Sequence, residues 1–361
     1  MLAPRPRLPP VMRKRGWVMG WLLSVLPPIW RRQGARACHI LRKTCPILRK
    51  PHIRLAPCAV PPKAAPMTQS QILTRDARAY ALREGLEYRP HPLPVDRLSL
   101  FYSEAPTELS HVLYDPVFCL VLSGEKRAEF NGTPTIFGEG QGLVVSLDLP
   151  AQSWITRASP EVPYLALAVR LDPALLRELA HASPLPPEDQ PVSVLASAPA
   201  SAALVDVCAR LFSLVGQPGA RDVLAPLWLR ELHYLLLTSP QGGMLRRMAQ
   251  AGSHVAQIAG ITAHLRAHMD QPMRVESLAR RAGMSATVFH QQFREITGTT
   301  PVQFLKRLRL LEAQRLLRAG ATNVTQAALR VGYESPSQFS RDYRAMFGTA
   351  ARDDRMGLAA E

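Results

Sequence analysis

Ser285 and Ser335 each open the same series of side chains. Counting from either serine, an aromatic residue falls at the fourth position and another at the eighth, then arginine at the ninth and glycine at the thirteenth. The series is Phe289, Phe293, Arg294 and Gly298 in the first copy, and Phe339, Tyr343, Arg344 and Gly348 in the second. Residues four apart share a helix face, so each aromatic pair is expected to turn inward. The opposite faces then project Thr287, His290, Gln291 and Arg294, and Ser337, Gln338, Arg341 and Arg344. Hydroxyl, amide and guanidinium groups in this arrangement suit hydrogen bonds to base edges and phosphates.

The elements that must hold these side chains are legible beside them. Ala279-Arg280-Arg281-Ala282-Gly283-Met284 precedes the first serine, and Ala328-Leu329-Arg330-Val331-Gly332-Tyr333-Glu334 precedes the second. Each copy reads as helix, glycine turn, serine cap, helix, which is the helix-turn-helix pattern. Gly283 and Gly332 permit the tight turn, and Ser285 and Ser335 cap the following helices. Pro336 suits a first helical position. Between the copies, Thr300-Pro301 to Leu317 reads as a capped helix with Val302, Leu305, Leu308, Leu311 and Leu316 as its apolar positions. It would span roughly 25 Å and could hold two recognition helices about one DNA turn, ~34 Å, apart. A plain helical bundle with solvated charges is the competing reading. Two copies in register around a capped helix argue against it.

Charge divides unevenly along the 361 residues. Residues 1–66 hold 14 Lys/Arg and no Asp or Glu, 67–252 hold 15 against 19, and 253–361 hold 15 against 9. The C-terminal excess is therefore the one that can matter for nucleic acid. Residues 1–66 also carry 12 of the 33 prolines and Cys38, Cys45 and Cys58, whose spacings fit neither a zinc knuckle nor a redox pair. This text is expected to be upstream sequence ahead of a true start at Met67. A disordered basic arm and an export signal, Arg13-Lys14-Arg15 before Trp17–Leu26, are the alternatives. No run reaches the ~20 apolar residues of a spanning helix, and the cysteine usage fits a reducing cytoplasm.

Residues 67–175 begin with a helical pattern, Arg75 to Glu84, stopped by Gly85. Short β-rich runs follow at Leu98–Ser103, Val112–Leu122, Lys126–Phe130, Leu143–Ser146, Ser153–Thr156 and Tyr164–Val169. Turn residues separate them, including Asp115-Pro116 and Asn131-Gly132, a hairpin signal because both its residues need positive φ. A small barrel or sandwich is expected. Gly138-Glu139-Gly140-Gln141-Gly142 imitates a phosphate cradle, but no helix follows, so a turn is the better reading. His111 is the only histidine between Leu98 and Arg170, which leaves no imidazole cluster for a metal. Cys119 reads as a small buried hydrophobe. Helical patterns at Ala174–His181, Leu204–Leu214 and Asp222–Leu237 follow. Gln241-Gly242-Gly243 and Ala251-Gly252-Ser253 are expected to be flexible joints.

Val275–Gly348 resembles the DNA-binding domain of the AraC/XylS transcriptional regulators. The carrying text is Gly283-Met284-Ser285, Thr297-Gly298-Thr299-Thr300-Pro301, Arg307-Leu308-Arg309-Leu310-Leu311-Glu312-Ala313 and Val331-Gly332-Tyr333-Glu334-Ser335-Pro336-Ser337-Gln338-Phe339-Ser340-Arg341. The resemblance implies recognition residues at Thr287, His290 and Gln291, and at Ser337, Gln338, Ser340 and Arg341. One departure is Thr349-Ala350-Ala351, where family members often place proline. Upstream, Leu113-Tyr114-Asp115-Pro116, Ser123-Gly124-Glu125-Lys126, Ser146-Leu147-Asp148-Leu149-Pro150 and Pro163–Leu167 resemble the family's N-terminal domain, a cupin-like barrel. Such barrels sense effectors or dimerise.

The expected fold class is α+β: a small cupin-like β-barrel (67–175), a helical connector (176–252), an all-α domain with two helix-turn-helix motifs (253–352) and a tail (353–361). The expected function is a cytoplasmic, sequence-specific DNA-binding transcriptional regulator, not an enzyme. No cofactor, metal or catalytic residue is assigned. The partners are double-stranded DNA and a small-molecule effector of unassigned site. RNA polymerase contact and a homodimer stay open, and no membrane is involved. A sequence-tolerant architectural DNA binder and a barrel enzyme are the alternatives. The first conflicts with mixed polar reading faces, the second with the lack of clustered His or paired acids in the barrel.

Overall fold

In a computed structural model the described residues are 67–87, 89–182, 193–320 and 322–356. The expectations for 1–66, for the Pro-rich loop after residue 182 and for the last residues of the tail lie outside them. Helix α1 (Gln69–Arg83) starts earlier than its apolar pattern indicates, because Thr68 and Gln71 form a reciprocal capping box. Strands β1 (His91–Pro92), β2 (Leu98–Ser103), β3 (Ser110–Tyr114), β4 (Val117–Ser123), β5 (Glu125–Phe130), β6 (Thr133–Gly138), β7 (Gln141–Val145), β8 (Leu149–Arg157), β9 (Tyr164–Arg170) and β10 (Leu195–Pro199) build two antiparallel sheets. Their orders are β1-β2-β9-β4-β7-β10 and β3-β8-β5-β6.

The run expected as one strand, Val112–Leu122, is two. It breaks at Asp115-Pro116, where proline supplies no ladder N–H; β3 joins the smaller sheet and β4 the larger. Every residue of β4 is buried, because the sheet is covered on both faces, by α1 on one and the second sheet on the other. The Asn131-Gly132 hairpin has φ of 53° and 72°, with Phe130 opposite Thr133, as a two-residue primed turn requires. The glycine-rich segment 138–142 turns β6 into β7, with the Gln141 side chain accepting the Gly138 N–H at 2.8 Å. Cys119 is buried and its thiol is pushed up to about 11 by desolvation.

Helix α2 (Pro173–Ala182) precedes β10, so the sheet extends past the expected barrel limit at 175 into the segment expected to be helical connector, because β10 pairs with β7; α3 (Ala202–Ser213), α4 (Pro218–Thr238) and α5 (Gly242–Ala249) then follow. The joint expected at Gln241-Gly242-Gly243 is instead the packed first turn of α5. A Cβ on Gly242 would lie 2.2 Å from the Leu237 carbonyl oxygen, so glycine is needed there for a close reversal, not for slack. Helices α6 (His254–Ala267), α7 (Val275–Arg281), α8 (Ala286–Thr297), α9 (Pro301–Arg318), α10 (Val324–Arg330), α11 (Pro336–Phe347) and α12 (Ala351–Met356) complete the described chain. One continuous apolar core runs from Leu73 through barrel, connector and α8 to Leu308. A second, smaller core holds Leu310, Leu317, Val331, Phe339 and Tyr343. Helix α9 therefore serves both cores with successive turns. Its Val302 is exposed, against expectation, while Phe304 and Leu310 are buried.

Candidate nucleic-acid interface

The two repeats fold alike. Ser285 is extended and its hydroxyl accepts the Val288 N–H; Ser335 does the same for Gln338. Gly283 and Gly332 take φ of 67° and 84°. Helix α8 ends at Gly298 and α11 at Gly348, both left-handed caps. Phe289, Phe293, Phe339 and Tyr343 are fully buried. Phe293 packs against Phe289 at 5.5 Å and edge-on to Phe304 at 5.4 Å.

All nine candidate residues, Thr287, His290, Gln291, Arg294, Ser337, Gln338, Ser340, Arg341 and Arg344, lie on exposed surface. Measured from the cap serines, Thr287 matches Ser337, His290 matches Ser340, Gln291 matches Arg341 and Arg294 matches Arg344. At 3.6 residues per turn these four positions form one stripe in each helix. Three candidates are already engaged within α11: Ser340 donates to the Pro336 carbonyl, and Arg341 donates to Gln338 Oε1, each at 2.8 Å. Sequence reasoning missed Val288, which is 39% exposed beside the first stripe. Its apolar type in a helical pattern reads as core. The repeat register, which equates it with Gln338, is the signal that points to it.

Beneath the second stripe sits Asp342. Burial alone would raise its pKa, but hydrogen bonds from Lys306, Gln338 and Tyr333 hold it below the usual carboxylate range. Lys306 Nζ lies 2.6 Å away and Tyr333 Oη 3.2 Å. The Tyr333 ring meets Phe339 edge-on and takes the Arg309 guanidinium over its face. Arg309 also donates to the carbonyls of Met269 and Gln271. Helix α9 thus ties the second turn to the segment between α6 and α7.

The barrel's smaller sheet backs both repeats. Arg266 on α6 is shared between Asp115 and Asp148, with Asp148 Oδ1 at 2.5 Å. Burial raises the Asp148 carboxyl, and the Arg266 guanidinium opposes that rise. The Asn131 carboxamide covers Gly298, where an added Cβ would fall 1.6 Å from Asn131 Nδ2. The His111 ring stands edge-on to Phe347 at 5.4 Å and bonds the Met346 backbone. Burial, with the Arg307 charge, lowers the His111 pKa against that bond. A cleft of about 720 Å³ lies between these contacts. On α11 its lining residues are Asp342, Ala345 and Met346, off the exposed stripe. Among the described residues no group of three His, Cys, Asp or Glu is placed to hold a metal, and no helix is long and apolar enough to cross a membrane.

The described chain joins a β-barrel to two matched helix-turn-helix units, with the same four register positions exposed in both. Residues 94–244 match the family model for the AraC-type transcriptional regulator N-terminus, and residues 278–356 match that for a helix-turn-helix domain. The chain belongs to the AraC/XylS family of transcriptional regulators. It is 34% identical over 113 residues to the HTH-type transcriptional activator RhaS of Citrobacter koseri, covering 31% of this chain and 41% of RhaS. It is also 34% identical over 120 residues to RhaS of Salmonella schwarzengrund, covering 32% and 43%. These matches span less than half the length of either relative. The fold is similar to that of an apo ToxT variant from Vibrio cholerae strain SCE256, with a TM-score of 0.51 over 75% of this chain and 100% of that one, at 10% identity.

Proposed function

We propose that this protein is a cytoplasmic, sequence-specific DNA-binding regulator of transcription, without enzymatic activity. Helices α8 and α11 read adjacent major-groove segments through Thr287, His290, Gln291 and Arg294, and through Ser337, Gln338, Ser340, Arg341 and Arg344. The observation that carries this is the repeated stripe: the same four register positions are exposed in both helices, each backed by a buried aromatic pair. Arg341 and Arg344 suit guanine and phosphate, Gln291 and Gln338 suit adenine, and the hydroxyls accept either. Helix α9, 18 residues long and so about 27 Å, spaces them by close to one helical turn.

The barrel and connector, 67–252, form the effector or pairing module, and 253–352 the DNA-binding domain. An effector would act by binding one arrangement of the two more tightly than another.

The test is selection from random DNA at physiological salt, with the full chain and with residues 67–361. A motif of two short elements about one turn, ~10 base pairs, apart is expected from both proteins. Binding that random DNA competes away, with a steep salt dependence, would mark an architectural binder instead.

A further inference from the structure

We propose that Val288 determines specificity by seating the C5-methyl group of a thymine in the half-site read by α8. This rests on the regulator reading above and deepens it. The other large apolar side chains of α8, Phe289, Phe293 and Ile296, are buried, whereas Val288 is 39% exposed. Its backbone N–H is held by the Ser285 cap at 3.4 Å, which places it in the first turn of the helix. That end of a recognition helix is the one that meets base edges. At 100° per residue, Val288 lies about 60° around the helix from Gln291 and follows Thr287, which brings a second methyl group to the same edge.

The corresponding position in α11 carries Gln338, whose Oε1 accepts from Arg341 at 2.8 Å. One helix therefore presents an apolar edge and the other a polar, basic pair at the same register. In the major groove only thymine offers a methyl group, while arginine pairs with guanine O6 and N7. The two half-sites consequently differ in chemistry: a methyl-bearing pyrimidine faces α8 and a purine faces α11. The repeat is symmetric in its scaffold and asymmetric in what it reads.

The experiment uses the full chain and an operator selected from random DNA. Each thymine is replaced singly by deoxyuridine, which removes only the C5-methyl group. One thymine is expected at which replacement weakens binding about fourfold, the equivalent of about 0.8 kcal/mol for one buried methyl-sized group. Val288→Ala is expected to bind the parent operator more weakly by a similar factor and to lose the distinction between thymine and deoxyuridine at that position. An operator in which every thymine tolerates replacement, or a sensitivity undiminished in Val288→Ala, overturns the assignment and leaves the regulator reading standing. Failure to select any motif overturns both.

Discussion

Arg341 stands exposed on α11 with its guanidinium bonded only to Gln338 among the described residues. Nothing buried depends on it. Arg341→Ala is therefore expected to leave the melting temperature unchanged while removing about 1–3 kcal/mol of discrimination at one base pair. Competition between the selected operator and single-base variants measures this; selectivity equal to wild type would remove Arg341 from the reading set. His233 on α4 is the opposite case, fully buried and structural. Its Nε2 accepts the Asp172 N–H at 2.8 Å, and its Nδ1–H donates to the Leu229 carbonyl at 2.7 Å. Only the neutral ring satisfies both. Burial holds its pKa below the usual histidine value, against the Asp172 charge. The unfolded chain then takes up the proton first, so this stabilisation is complete above about pH 6.5 and is lost as pH falls further. Melting at about pH 7.5 and about pH 5.5 should show a drop in wild type that is smaller in His233→Gln. Equal drops would mean that other groups carry the acid sensitivity.

Helix α8 depends on its aromatic back. Phe293 is fully buried between Phe289 and Phe304, and Phe293→Ala should cost ~3–5 kcal/mol. Because that core is continuous with the connector, calorimetry should show the main transition lowered, and an unchanged curve would contradict the assignment. The same elements explain what a sequence can announce. The repeats were legible because cap serine, aromatic spacing and terminal glycine each have a local physical cause. Strand β2 was legible through its alternation. Strand β6 was not: Thr133, Pro134 and Ile136 are exposed in this edge strand and only Phe137 is buried, so no alternation marks it. Strand β10 reaches its partner β7 from far along the chain, so only tertiary pairing defines it. Asp115 stood out as a turn residue and family text and Asp148 as family text alone, and their convergence on Arg266 needed the fold. Val288 was hidden by its type, since an apolar residue in an amphipathic pattern is read as inward.

At the scale of the whole molecule, the barrel touches both helix-turn-helix units. Arg266 and the Asn131–Gly298 contact fix the first, and the His111–Phe347 contact fixes the second. The second unit has its own small core, so beyond α9, its side chains and the close approach of Gly332 to the Asp270 backbone, this contact resists its rotation. One inserted base pair between half-sites turns them by about 36° relative to each other, which a braced protein cannot follow. Wild type is expected to lose about tenfold or more on such an insertion, about 1.4 kcal/mol. His111→Ala, which removes the ring from Phe347 without touching either stripe, is expected to bind the parent operator nearly as well and to lose distinctly less on insertion. Acid should act in the same direction, since the lowered His111 pKa means docking is complete above about pH 6.5 and weakens as pH falls, when an imidazolium would face Arg307. Gel titrations on the two operators, in both proteins, decide it. If His111→Ala is penalised as severely as wild type, α9 alone sets the spacing, and an effector bound in the barrel would have to act on something other than the distance between the reading helices.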